Sequence, residues 1–238
     1  MLLNAGISVL RWDIPHPLHA PDGFFSLPMA VAGYVVVALV ISFAINRTRT
    51  ELNERMVPMM GVMAAFIFAA QMINFPVAGG TSGHLVGGAL AAIILGPWAA
   101  IIVMTAVVGL QALLFQDGGL VVLGINLFNM SIVSVLAGYG VYFIARKFGS
   151  SSKGVLFAGG FVSAWVSVMM AAVFTAFALA FSGTSPLSLA LPALAAVHAL
   201  IGIGEGLITV FALSFIRVAR PQLLQARRES RVQFAEGV

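Results

Sequence analysis

The chain has 238 residues, 61% of them apolar and only 8% charged, with twelve Lys and Arg against eight Asp and Glu for a net charge of +4. Soluble domains carry about 25% charged residues and disordered chains are poor in apolar ones, so both classes are excluded. An integral membrane protein remains, and its basic excess lies in loops beside apolar runs, a topology pattern rather than a sign of nucleic-acid binding.

In chain order, residues 1–18 (MLLNAGISVLRWDIPHPL) make a poor signal peptide, because the apolar stretch is short and Arg11 and Asp13 follow it. Apolar runs then fall at about 27–45, 57–75, 84–95, 97–115, 121–145, 154–182 and 190–216. The longer ones meet the roughly 20 residues that a helix needs to cross hydrocarbon. They are continuous rather than alternating, which disfavours a β-barrel. The run 84–95 is the weak one, since its length corresponds to about 18 Å of helix and Gly96-Pro97 breaks it.

Basic residues set the orientation. Arg47, Arg49 and Arg55 follow the first run, Arg146, Lys147 and Lys153 the fifth, and Arg217, Arg220, Arg227, Arg228 and Arg231 the last. With these groups inside, the N-terminus is outside and the C-terminus inside, which requires an odd number of crossings. The predicted fold is an all-α integral membrane protein, a seven-transmembrane-helix bundle with 84–95 and 97–115 as a hairpin. Reading 84–115 as one kinked helix gives six crossings and puts the arginine-rich tail outside. The division is a 1–18 extension, a 19–217 membrane domain and a 218–238 cytoplasmic tail. The outer face then holds the N-terminal segment and the loops Pro76–Gly83, Gln116–Gly119 and Ser182–Ser188.

Polar groups are costly in a membrane and mark the places where function is to be sought. All four histidines, His16, His19, His84 and His198, fall on the outer side or in the outer half. With no cysteine present, thiolate sites and disulfides are excluded. Clustered imidazoles point to a borderline divalent metal such as nickel, cobalt, copper or zinc, or else to histidines that each satisfy a local hydrogen bond. The segment NFPVAGGTSGH lets backbone approach a ligand closely, although an ordinary turn reads the same way. Glu205, the one acid deep in an apolar run, shares a helix face with His198 and is either a buried structural hydrogen-bonder or part of transport. Gln71, Asn74, Gln111, Asn126 and Asn129 read as interhelical hydrogen-bonders, with Asn74 also able to support a metal site. Gly61, Ala65 and Ala69 form a small-residue stripe that packs closely, within the fold or against a partner. No P-loop or hydrolytic motif is present, so uphill transport needs an ion gradient or another subunit.

The segments HAPDGFFS, NFPVAGGTSGHLVGGALAAIILGPWAA, LLFQDGGL, GINLFNM and HALIGIGEGLIT run in order over most of the chain. Together they resemble the CbiM/NikM family, the substrate-binding S components of energy-coupling factor transporters for cobalt and nickel. The resemblance implies a seven-helix fold in the cell (inner) membrane and a transporter subunit without its own ATPase. It implies Co²⁺ or Ni²⁺ as transported substrate, supply of cobalt for cobalamin biosynthesis, and no organic cofactor. The implied partners are a transmembrane coupling protein, two cytoplasmic ATPases and a small accessory membrane subunit that is not fused here. In the family a short N-terminal segment plugs the outer face. Its terminal amine, and the backbone nitrogen and imidazole of its second-position histidine, bind metal together with one glycine-loop histidine. Carried over, the metal ligands are His19 and His84, supported by Asp22, Asn74 and Ser82, with His198 and Glu205 supporting or structural.

The family pattern begins Met-His, whereas His19 here follows eighteen residues. Three readings stand: a true start at Leu18, trimming of the extension, or a real extension in which His16 replaces the amine. The first is preferred, because 1–17 resembles nothing in the family. Rival functions are a nickel-specific S component, a stand-alone proton-coupled divalent-cation carrier using His198 and Glu205, and a scaffold with no ligand.

Overall fold

The computed structural model describes residues 19–52, 54, 56–72, 74–77, 81–148 and 153–220. The expectations for 1–18, including His16, and for the tail beyond 220 lie outside the described residues. The elements are α1 (Leu27–Glu51), α2 (Met56–Gln71), β1 (Asn74–Val77), β2 (Thr81–His84), α3 (Gly88–Leu95), α4 (Pro97–Phe115), α5 (Leu123–Leu127), a π-helical segment (Phe128–Val133), α6 (Ser134–Phe148), α7 (Lys153–Phe181) and α8 (Leu187–Ala219).

Each long helix is a continuous apolar run, as hydrocarbon demands when every backbone group must be satisfied within its own segment. Among the described residues five are long and apolar enough to cross a membrane: Leu27–Thr50, Pro97–Phe115, Leu123–Lys147, Lys153–Phe181 and Leu187–Ala219. Their outward faces carry large exposed apolar side chains such as Leu39, Leu113 and Phe211, which suits lipid rather than water. Proline opens α4 at its first turn, where its missing N–H has no partner to lose.

Two elements differ from the expectation. The second run ends as helix at Gln71, and the residues after it form an antiparallel hairpin pairing Asn74 with His84, Phe75 with Gly83, Pro76 with Ser82 and Val77 with Thr81. His84 therefore closes a strand instead of opening a helix. Helix α3 keeps only eight residues, about 12 Å at 1.5 Å per residue, well short of a crossing. All eight are buried, so α3 is a core element. Close backbone approach holds it there: a Cβ built on Gly88 would overlap Ser134 Oγ, and one on Gly138 would meet Ala89 Cβ at 2.6 Å. Small residues at such crossings let helices touch where lipid gives no hydrophobic driving force.

Candidate metal centre

The segment 19–26 enters ahead of α1 and lies against the loop that joins α4 to α5. Its main chain is fixed by side chains and glycines rather than by regular structure. Asn126 Nδ2 donates to the Ala20 carbonyl at 3.0 Å, and the Gly119 amide donates to the same oxygen at 3.0 Å. The Val122 amide donates to Asp22 Oδ1 at 3.2 Å, and Thr184 Oγ1 donates to the Phe24 carbonyl at 2.6 Å. The loop can lie this close only because it lacks side chains. A Cβ on Gly118, whose φ is +98°, would sit 2.7 Å from His19 Cβ, and one on Gly119 would overlap Asp22.

This packing seats His19 in the interior, 5% exposed. Its backbone N–H donates to Asp117 Oδ1 at 3.2 Å, and its Nδ1–H donates to the Asp117 main-chain oxygen at 3.2 Å, with Asp117 Oδ2 3.4 Å from Nδ1. A carbonyl can only accept, so Nδ1 carries a proton, and in the neutral ring Nε2 is then the basic nitrogen. Nε2 is buried and has no hydrogen-bond partner among the described residues.

The hairpin brings the second imidazole to the first. The rings of His19 and His84 stand edge to face, with centroids 4.9 Å apart and planes at 72°. His84 Nδ1–H donates to the Leu85 carbonyl at 2.8 Å, which places the proton of this ring on Nδ1 as well. Two imidazoles fixed by carbonyl or carboxylate partners are the usual support for a histidine-bound transition metal.

The remaining polar residues divide. Asp22 orients the segment from Val122 and does not join the two rings by any contact seen here. Asn74 and Ser82 hold hairpin positions, Asn74 opposite His84; their side chains lie outside the described residues. His198, on α8, donates through Nδ1 to the Leu194 carbonyl at 2.8 Å. Among the described residues no three His, Asp or Glu side chains gather as a metal cage, so the clustered-histidine reading reduces to the pair His19 and His84. Glu205 is 2% exposed and accepts the Val86 and Gly87 amides at 2.6 and 2.8 Å, a structural bond to the residues just after His84. Of the residues read as interhelical bonders, Asn129 is one, donating to the Ala171 carbonyl and to Thr175 Oγ1. Asn126 binds Ala20 and Gln71 binds the Val86 carbonyl, whereas the buried amide of Gln111 has no partner among the described residues. Gly61, Ala65 and Ala69 are exposed along α2, and a Cβ on Gly61 would meet nothing within 4 Å.

Sequence reasoning missed Asp117, Gly118 and Gly119. The available signal was one acid followed by two glycines in a predicted outer loop.

Among the described residues, five apolar helices of crossing length and a folded-in leading segment define a multi-pass membrane protein. The model of the CbiM family, "Cobalt uptake substrate-specific transmembrane region", matches residues 19–223, and the chain belongs to that family. It is 39% identical over 212 residues to an Archaeoglobus fulgidus protein provisionally named a fused nickel transport protein, NikMN, covering 88% of this chain and 69% of that one. It is 31% identical over 212 residues to the cobalt transport protein CbiM of Sorangium cellulosum, covering 87% and 94%. The crystal structure of a truncated transition metal transporter superposes with a TM-score of 0.73 at 30% identity, over 83% of this chain and 97% of the other.

Proposed function

We propose that this chain captures Co²⁺ or Ni²⁺ as substrate at the outer membrane face, as the metal-binding S component of an ATP-driven energy-coupling factor importer. The observation that carries this is the pairing of His19 and His84, 4.9 Å between centroids, with His19 Nε2 buried and unpartnered among the described residues. Nitrogen donors suit both metals, and nickel(II) in particular accepts a planar set. Two side chains do not complete such a set. Main-chain nitrogen, a terminal amine if the mature chain starts at Leu18, or water supplies the rest. The His19 backbone nitrogen now faces Asp117 Oδ1, so its use as a ligand, which would pair it with Nδ1 of the same ring rather than Nε2, requires both bonds to Asp117 to give way and a proton to leave.

In this reading seven helical segments sit in the cell membrane with the N-terminus outside and the C-terminus inside, α2 and α3 being the short ones. A transmembrane coupling protein, two ATPases and a small accessory membrane subunit complete the transporter, which supplies cobalt for cobalamin synthesis or, in the nickel-specific variant, nickel. The coupling protein packs against the uncovered Gly61, Ala65 and Ala69 face of α2. The proton-carrier reading draws no support from Glu205, whose two oxygens are engaged by amides.

The test is metal analysis of the purified chain, with its N-terminus sequenced, under competing Co²⁺ and Ni²⁺, beside His84→Ala. One bound metal in the parent and none in the folded variant is the expected result. Equal loading of the two would overturn the assignment.

A further inference from the structure

Two buried polar side chains outside the pair of rings converge on the peptides next to His84. Glu205 is 2% exposed and Gln71 is fully buried. The Leu85–Val86 peptide takes the His84 Nδ1–H on its oxygen at 2.8 Å and gives its own N–H to Glu205 Oε2 at 2.6 Å. The Val86–Gly87 peptide takes Gln71 Nε2 on its oxygen at 2.6 Å and gives its N–H to Glu205 Oε1 at 2.8 Å. The Val86–Gly87 peptide is thus clamped by α2 at its oxygen and by α8 at its N–H, and the Leu85–Val86 peptide by α8 at its N–H and by the His84 ring at its oxygen. Gly87 permits this through a φ of +81°, and a Cβ there would press within 2.9 Å of Ile67 Cγ2.

We infer that Glu205 and Gln71 are positioning residues for metal capture, fixing through these two peptides the tautomer and direction of the His84 ring. Hydrogen bonds in series polarise one another, so a carboxylate on the peptide N–H strengthens the peptide oxygen as an acceptor for His84 Nδ1–H. The proton is held on Nδ1, the tautomer in which Nε2 is the ring's basic nitrogen. A cavity of about 20 Å³ bordered by Gln71, Gly87, Glu205 and Thr209 is about one water in size. Because Gln71 is the last residue of α2, an axial shift of that helix pulls directly on the Val86 carbonyl.

This inference rests on His19 and His84 being the ligands, and its experiment separates the two claims. Co²⁺ is titrated into the full chain in detergent and followed by visible absorption, for the parent, His84→Ala, Glu205→Gln, Glu205→Ala and Gln71→Met. Helical content is recorded alongside. Affinity is expected to fall roughly tenfold for Glu205→Gln, whose amide retains one acceptor, and for Gln71→Met, with a larger fall for Glu205→Ala. The absorption of the saturated variants is expected to shift, because a turned ring changes the ligand field. A role in stability alone would lower the unfolding temperature and leave the spectrum unchanged. If His84→Ala abolishes binding while the folded clamp variants keep parental affinity and spectrum, the clamp is refuted and the ligand assignment stands. If the parent binds no Co²⁺, or His84→Ala binds as the parent does, both fall. Amide exchange at Val86 and Gly87 in the parent gives a readout independent of folding defects. Co²⁺ should slow it, and unchanged exchange counts against the clamp.

Discussion

Asp117 holds His19 twice: its carboxylate accepts the backbone N–H and its main-chain oxygen accepts Nδ1–H, both at 3.2 Å across 98 positions of sequence. One residue thereby fixes both the place of the segment and the tautomer of its imidazole. Asp117→Ala keeps the main-chain oxygen but loses the anchor of the His19 N–H and the Oδ2 that lies 3.4 Å from Nδ1, and should weaken Co²⁺ binding by about 10- to 100-fold, the usual cost of losing an outer-shell partner. Asp117→Asn should do less, since its amide oxygen still accepts the N–H. Titration of the purified variants checks this, and parental affinity in Asp117→Ala would remove Asp117 from the site.

Gly119 is a steric condition for that arrangement. A methyl group there overlaps Asp22 Oδ1 and N, and neither can yield without breaking the bond from Val122 or moving the segment. Gly119→Ala should therefore lift residues 19–26 and lower metal affinity. The bundle should lose no more than the roughly 1–3 kcal/mol typical of overpacking. Faster amide exchange across 20–26, beside nearly parental helical content, is the expected pair of readings.

These two residues show where sequence reading ends. The runs at 97–115, 154–182 and 190–216 were legible because hydrocarbon accepts only long apolar helices, and the helices span Pro97–Phe115, Lys153–Phe181 and Leu187–Ala219. The hairpin was not legible. Asn74–Val77 reads NFPV, with Phe75 and Val77 as apolar as the helix before them, so hydropathy gave no stop at Gln71. The π-helical turn at 128–133 likewise leaves no mark in composition. His19 and His84 stood out as ionisable groups in glycine-rich surroundings. Asp117 did not, because its role exists only once two segments distant in the chain meet. Glu205 was visible as a buried acid, but its partners are main-chain amides, which no side-chain pattern reports.

Protons compete with metal at imidazole. Histidine changes charge between about pH 5 and 8, and metal binding requires the neutral ring. Lowering the pH from about 7.5 to about 5.5 should therefore weaken Co²⁺ binding, and binding near neutrality should release protons. Calorimetry in buffers of different ionisation enthalpy measures the protons released. Affinity independent of pH over this range would exclude imidazole ligands.

The small-residue face of α2 calls for a different outcome from every site variant. Gly61, Ala65 and Ala69 are exposed, and Gly61 has open space where a side chain would stand, so among the described residues no contact requires Gly61 to be small. Lipid does not need it either, since larger apolar residues cover the other outward faces, as Leu113 and Phe211 do. A partner helix approaching closely does need it. Ala65→Leu should thus leave folding and Co²⁺ binding of the isolated chain unchanged. In cells that hold the complete transporter it should sharply reduce cobalt uptake and co-purification of the coupling protein. Uptake at the parental rate with Leu at 65 would mean that the partner docks elsewhere.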